Sequence, residues 1–158
     1  MTGVQTCALP ISKPIEVNGE KTPFAIRGKY DLLMEFPDGT HGIVDCKFQG
    51  RDNDKSGFYT PQLEAYAFAL ENPAKGEPKQ ISHVGLLVWS PVKIRGSSAG
   101  NFGMELKCSW YPVTRDPQAL QSRLGEFILK VTGEIPTAKA NCDQCNYVAN
   151  REGIIRAL

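Results

Sequence analysis

The chain has 158 residues, 41% of them hydrophobic and 22% charged, which suits one domain with a real core; its net charge of +1 argues against a uniformly basic nucleic-acid binder and confines any phosphate-binding groove to local lysines and arginines. No apolar run approaches the ~18 residues needed to cross a membrane, and no basic start precedes a signal-like segment, so the expectation is a cytoplasmic protein. Five cysteines, an odd number without a secretory signal, favour reduced thiols or metal ligands over a disulfide framework.

Residues 1–12, MTGVQTCALPIS, resemble the translation of a widely used sequencing-library adaptor over their whole length. They are read as an assembly artefact and set aside from fold reasoning. The native chain is then expected from Lys13, with its true N-terminal part missing. Cys7 drops out as a ligand, which leaves Cys46, Cys108, Cys142 and Cys145. The expected organisation is 1–12 adaptor-derived, 13–134 a folded core and 135–158 an irregular, cysteine-containing tail.

Residues 24–36 carry apolar and aromatic side chains without helical periodicity. Pro37, Asp38, Gly39 and Thr40 then form a turn signal, a preset proline φ followed by a glycine that tolerates positive φ. The partner strand is read at His41–Phe48, with Ile43, Asp45 and Lys47 on one face and Val44, Cys46 and Phe48 on the other. The apolar set is assigned to the core. A polar loop over 49–57 leads to a helix read as capped by Thr60, opened by Pro61 and stopped after Glu71 by Asn72 and Pro73. On it Tyr59, Gln62 and Tyr66 form one stripe. Residues 81–90 read as a strand buried on both faces. Residues 102–111 read as a half-buried fourth strand with Cys108 turned inward, paired across a loop at 97–101. Asp116 and Pro117 open a second helix, whose apolar face is Leu120, Leu124, Phe127, Ile128 and Val131, ending near Gly133.

Asp31 and Asp45 lie seven residues on either side of Asp38. A hairpin centred there sets the two carboxylates opposite each other, with Cβ atoms about 4.5–5.5 Å apart. Like charges so placed repel unless a cation sits between them. All-oxygen ligation selects Mg²⁺ or Mn²⁺ over zinc. Lys47 projects from the same face, within reach of a scissile phosphate. Two carboxylates, a hard cation and an ammonium suit phosphodiester hydrolysis.

The run Gly28, Lys29, Tyr30, Asp31, then Ile43, Val44, Asp45, Cys46, Lys47, then Tyr59, Gln62, Leu63, Tyr66 resembles the successive motifs of PD-(D/E)XK nucleases. It looks most like their RecB-type branch, which includes AddB and a CRISPR spacer-acquisition nuclease. The resemblance implies an α/β, restriction-endonuclease-like core, a mixed central sheet of about four strands flanked by helices. It implies a Mg²⁺- or Mn²⁺-dependent deoxyribonuclease, exonuclease or endonuclease, acting in recombination, repair, or phage or CRISPR DNA processing, with a helicase or CRISPR-adaptation protein as partner. Its catalytic roles fall on Asp31, Asp45, Lys47, Gln62 and Tyr66, and its metal ligands on Asp31, Asp45 and the backbone carbonyl of Cys46. Lys29, Arg51, Lys55 and Tyr59 are assigned to DNA, with Lys93 as a further phosphate contact. The competing reading is a catalytically inactive DNA-binding or scaffold module of a helicase-nuclease assembly.

Relatives on that branch hold a [4Fe-4S] cluster with one upstream cysteine and three near the C-terminus. Here Cys142 and Cys145 form a C-x₂-C pair and no further cysteine follows, whereas the usual cluster needs four thiolates and a structural zinc four ligands. The pair is read as a vestige serving as a packing turn, an incomplete iron-sulfur or zinc site being the alternative.

Overall fold

The computed structural model describes residues 3–6, 10–96, 100–134, 137, 139 and 141–156. Its strands are β1 (Gly3–Thr6), β2 (Glu16–Val17), β3 (Glu20–Lys21), β4 (Leu32–Glu35), β5 (His41–Phe48), β6 (Ile81–Gly96) and β7 (Phe102–Val113). Its helices are α1 (Ser56–Glu71), α2 (Pro117–Thr132) and α3 (Asp143–Arg156). Cys7, residues 97–99 of the expected β6–β7 loop and the start of the tail at 135 and 136 lie outside the described residues.

The turn at 37–40 is built as its residues dictate. Asp38 Oδ1 accepts from the Thr40 backbone N–H at 2.9 Å and from its hydroxyl at 2.8 Å, and Gly39 takes a φ of 81°, a conformation a side chain would oppose. From it β4 and β5 run antiparallel, β5 pairs parallel with β6, and β6 antiparallel with β7. The sheet is therefore mixed, in the order β1-β4-β5-β6-β7, and with its helices it is a mixed α/β fold of restriction-endonuclease-like kind. Four of these strands are the expected ones. The fifth, β1, pairs with β4 at the edge and comes from the adaptor-like residues. Ser12 is also buried and bonds Ile26 in both directions. A small hairpin of β2 and β3 turns through Asn18 and Gly19, both at positive φ.

α1 covers one face of the sheet. Leu63, Tyr66, Ala67 and Leu70 pack with Tyr30, Leu33, Ile43, Ile81, Val84, Leu86 and Val88 into one core. Each large aliphatic side chain so buried contributes about 1.5–3 kcal/mol. This reverses one expectation: the covered face of β5 carries Ile43 and Asp45, while on the other face Val44 is buried and Phe48 stands exposed. Alternation separates two faces but does not say where the helix lands. Glu64 is also buried on α1, held by Arg115 at 3.3 and 3.2 Å, and Arg115 reaches Glu71 at 2.6 and 3.0 Å.

Other boundaries also moved. The first hairpin strand is confined to Leu32–Glu35. α1 begins at Ser56, with Lys55 at its N-cap, not at Thr60. The Ser56 N–H is taken by Asp54 Oδ1 at 2.8 Å, and the Thr60 hydroxyl donates back to the Ser56 carbonyl at 3.0 Å, so Thr60 is already inside the helix. Pro61 is the sixth residue of the helix, so its missing N–H leaves the Gly57 carbonyl without its intrahelical bond. β7, the edge strand of the sheet, is more exposed than expected, and Cys108 lies at the surface in the cross-strand row of Trp89 and the exposed Phe48.

Two compact units divide the chain, one through Gly125 and one from Glu126. The first holds the sheet, α1 and the start of α2, whose N-terminus is capped by Asp116 Oδ1 accepting from Ala119 at 2.9 Å. In the second, Ile128 is buried but Phe127 and Val131, expected on the apolar face, are exposed. The tail is not irregular throughout: α3 spans Asp143–Arg156, a helix that follows Asp143 in its first turn, where a carboxylate favours the N-terminal dipole. Among the described residues no helix is long and apolar enough to cross a membrane.

Candidate active site

The β4–β5 register pairs Leu32 with Val44 and Leu33 with Ile43, so one further step sets Asp31 against Asp45. Asp31 lies just past the end of β4. There its Oδ2 accepts from the Cys46 backbone N–H at 2.7 Å. Within a strand the N–H and carbonyl of one residue point to the same edge, so the Cys46 carbonyl also faces the Asp31 side.

Asp45 is 2% exposed. Its Oδ2 is buried without a hydrogen-bond partner of regular alignment, and the Lys47 ammonium meets it as an ion pair. Burial pushes the Asp45 carboxyl above its ordinary pKa, Lys47 draws it back, and Asp31 pushes it up again. Burial works against the charged form of Lys47, yet Asp45, helped by Tyr59 and Asp31, raises its pKa above the ordinary lysine value. At neutral pH Lys47 therefore keeps its proton. It offers positive charge and N–H donors to a phosphoryl oxygen, not a base to water.

The helix completes the cluster. Gln62 Nε2 donates to Tyr66 OH at 2.5 Å and lies 3.5 Å from Asp45 Oδ1, while the Lys47 ammonium stands 4.9 Å from the centre of the Tyr59 ring, within cation–π range. The Tyr66 ring lies directly on the Gly28 backbone. Asp31, Asp45, Lys47, Tyr59, Gln62 and Tyr66, with Gly28 beneath, thus come together. Lys29, Arg51, Lys55 and Lys93 are exposed.

The donor set fits a hard divalent cation. A buried acid, its Oδ2 held only by the Lys47 ion pair, faces a second acid across a strand pair, and a backbone carbonyl shares their edge. Among the described residues no group of three or more His, Cys, Asp or Glu is placed to hold a metal, so the two acids would share the cation with solvent, as Mg²⁺ prefers. A cation held there would supply Lewis-acid polarisation of a phosphoryl oxygen. Cys142 and Cys145 adjoin each other at the start of α3, where the backbone N–H and thiol of Cys145 lower the Cys142 pKa.

Three features escaped the sequence. Gln49 follows β5, its backbone N–H bonded to the Trp89 carbonyl at 2.9 Å and its side-chain amide buried without partners. Asp52 is bonded by three side chains of β7. A bulge between Pro91 and Lys93 shifts the β6–β7 register so that Lys93 opposes Glu105 and Arg95 opposes Gly103. Because β7 residues of that parity share a face with Ser109 and Tyr111, the bulge turns Lys93 and Arg95 to the face of Asp45 and Lys47. The one signal for it in the sequence is Pro91, which cannot donate to the ladder.

Five chains of solved structures match this one. A chain described as "Crystal structure of SSO0001" is 14% identical, with a TM-score of 0.53, and the match covers 92% of this chain and 59% of that one. The likeness is one of fold, and this chain spans little more than half the length of that neighbour. No curated protein matches. The family model of the PD-(D/E)XK nuclease superfamily matches residues 4–149. With that match spanning nearly the whole sequence, the chain belongs to the PD-(D/E)XK nuclease superfamily.

Proposed function

We propose that this protein is a metal-dependent deoxyribonuclease of the RecB-type branch, hydrolysing phosphodiester bonds with Mg²⁺ or Mn²⁺ in recombination, repair, or phage or CRISPR DNA processing. The observation that carries this reading is the convergence of Asp31, Asp45, Lys47, Gln62 and Tyr66 at one end of β5 under α1. Asp31, Asp45 and the Cys46 carbonyl hold the cation, Lys47 stabilises charge on the phosphoryl group, and Gln62 with Tyr66 orients Asp45. Lys29, Arg51, Lys55 and Tyr59 receive the DNA backbone, joined by Lys93. A helicase or other recombination or CRISPR-adaptation protein is the partner class such an enzyme serves. The adaptor-like residues 1–12 have no part in this reading.

Labelled single- and double-stranded DNA incubated with Mn²⁺ tests it. The protein should cleave, and Lys47→Ala should lose at least about a hundredfold in rate, the scale of one electrostatic stabiliser removed. Equal cleavage by both proteins refutes the assignment. Calorimetric titration with Mn²⁺ that shows no dependence on Asp31 and Asp45 would instead support the inactive scaffold.

A further inference from the structure

We propose that Asp52 is a positioning residue that clasps the loop at residues 49–55 to β7 and so presents Arg51 and Lys55 to the substrate backbone. This role rests on the nuclease reading, while the clasp itself does not.

The clasp is formed by groups far apart in sequence. Lys107 Nζ donates to Asp52 Oδ2 at 2.5 Å, Ser109 Oγ to the same oxygen at 3.1 Å, and Tyr111 OH to Oδ1 at 2.6 Å. These donors alternate along β7 and so project from one face. The register identifies that face: Asp45 pairs with Leu86 and Leu86 with Tyr111, while Lys47 pairs with Val88 and Val88 with Ser109. Paired residues share a face, so Tyr111 and Ser109 stand in the same cross-strand rows as Asp45 and Lys47. Two strand spacings, about 9.5 Å, separate them.

The loop therefore leaves β5 just past Lys47, reaches across β6 to β7, and returns to α1, where Asp54 accepts from the Ser56 N–H at 2.8 Å. It is tied to β6 by the Gln49 N–H on the Trp89 carbonyl and to β7 by Asp52. Arg51 adjoins the clasp, and Lys55 is the N-cap of α1. Free of such a tie, an exposed polar loop with a glycine at 50 would sample many conformations, and its cations would pay ordering entropy at each binding event. Tied down, they meet phosphates already placed. An acid beside a DNA-binding surface otherwise repels the substrate. Here its charge is spent on three donors of the protein's own.

The test is the set Asp52→Ala, Asp52→Glu, the double variant Arg51→Ala/Lys55→Ala, and the triple variant, assayed for KM and kcat on labelled DNA and for amide hydrogen exchange over residues 49–55. Asp52→Ala should raise KM about tenfold with kcat within about twofold, the signature of lost binding at unchanged chemistry. Asp52→Glu should recover part of that loss. Added to the double variant, Asp52→Ala should change KM little further, because residues acting as one unit are non-additive. Exchange over 49–55 should rise in Asp52→Ala. Tighter DNA binding or faster cleavage by Asp52→Ala overturns the proposal, since Asp52 would then be occupying a substrate phosphate's seat. Full additivity with Arg51 and Lys55 also overturns it, as does unchanged loop exchange. A wild-type protein that cleaves no DNA while the loop exchange still responds refutes the nuclease reading and the substrate role, but not the clasp.

Discussion

Gly28→Ala probes the link between the packing of α1 and the placement of Asp45. A Cβ built on Gly28 would lie 2.5 Å from Cε1 and 2.7 Å from Cδ1 of Tyr66, against an ordinary contact of 3.4–4 Å. The ring would have to retreat by about 1 Å in a region packed at crystal-like density. It has little room, because Tyr66 is 8% exposed and belongs to the core with Tyr30, Leu33, Ile43 and Leu63. Overpacking of this kind costs about 1–3 kcal/mol. The same retreat pulls the Tyr66 hydroxyl from Gln62, 2.5 Å away, and through it disturbs the amide that approaches Asp45. A shift of about 1 Å in an aligned site can cost about a hundredfold in rate. Urea unfolding and single-turnover DNA cleavage should therefore both register the change, and the stability cost should shrink in a Tyr66→Ala background where the ring is gone. If Gly28→Ala unfolds at the wild-type midpoint and cleaves at the wild-type rate, the ring does not bear on this backbone as described and the coupling fails.

The remaining predictions concern charge. The folded pKa of Asp45 lies above its ordinary value, so between the unfolded and folded pKa the native state holds the extra proton, and metal-free stability should fall as pH rises through the folded value. Mn²⁺ favours the ionised acid and should raise Tm more at pH 8 than at pH 5; thermal melts check this, and an Asp45→Asn variant with the same pH slope as wild type would count against it. Arg115→Ala should cost about 3–5 kcal/mol in urea unfolding, because Glu64 is 1% exposed and would be left as an uncompensated buried charge; a loss below about 1 kcal/mol, typical of surface pairs, would show that Arg115 is dispensable there.

Local chemistry made part of this molecule legible. His41–Phe48 is a strand with the bounds read from its turn and alternation, because Pro37, Asp38 and Gly39 each favour the same chain reversal. The stop of α1 at Glu71 followed from Asn72 and Pro73. That the candidate site residues come together was legible to the same extent, since Asp31, Asp45 and Lys47 hang on that one hairpin and Gln62 and Tyr66 on helical spacing. Signals that two residues can send for different reasons misled: Thr60 and Pro61 look like a helix start but sit within the first turns, the true cap coming from Asp54 and Lys55. What depends on non-local placement stayed hidden. Whether Ile43 or Phe48 faces the core is decided by where α1 lies, the exposure of Cys108 by its place on the edge strand in the row of Phe48, and the Asp52 clasp by partners more than fifty residues away.

Asp45 shows why the site lies where local rules are broken. Its row continues into Leu86, 0% exposed, and its own strand places Ile43, also 0% exposed, two residues before it on the same face. By burial alone this position belongs to a leucine or valine, and an ionised carboxylate there costs stability unless it is paired and bonded. Lys47 and Gln62 offset part of that cost, but the ion pair leaves Oδ2 without a regular hydrogen bond. For stability alone an apolar residue would serve as well, since apolar replacement of buried ion pairs is often neutral or stabilising. An acid so placed, with a second acid one strand away and a helix holding an amide against it, suits the proposed cation binding better than it suits packing.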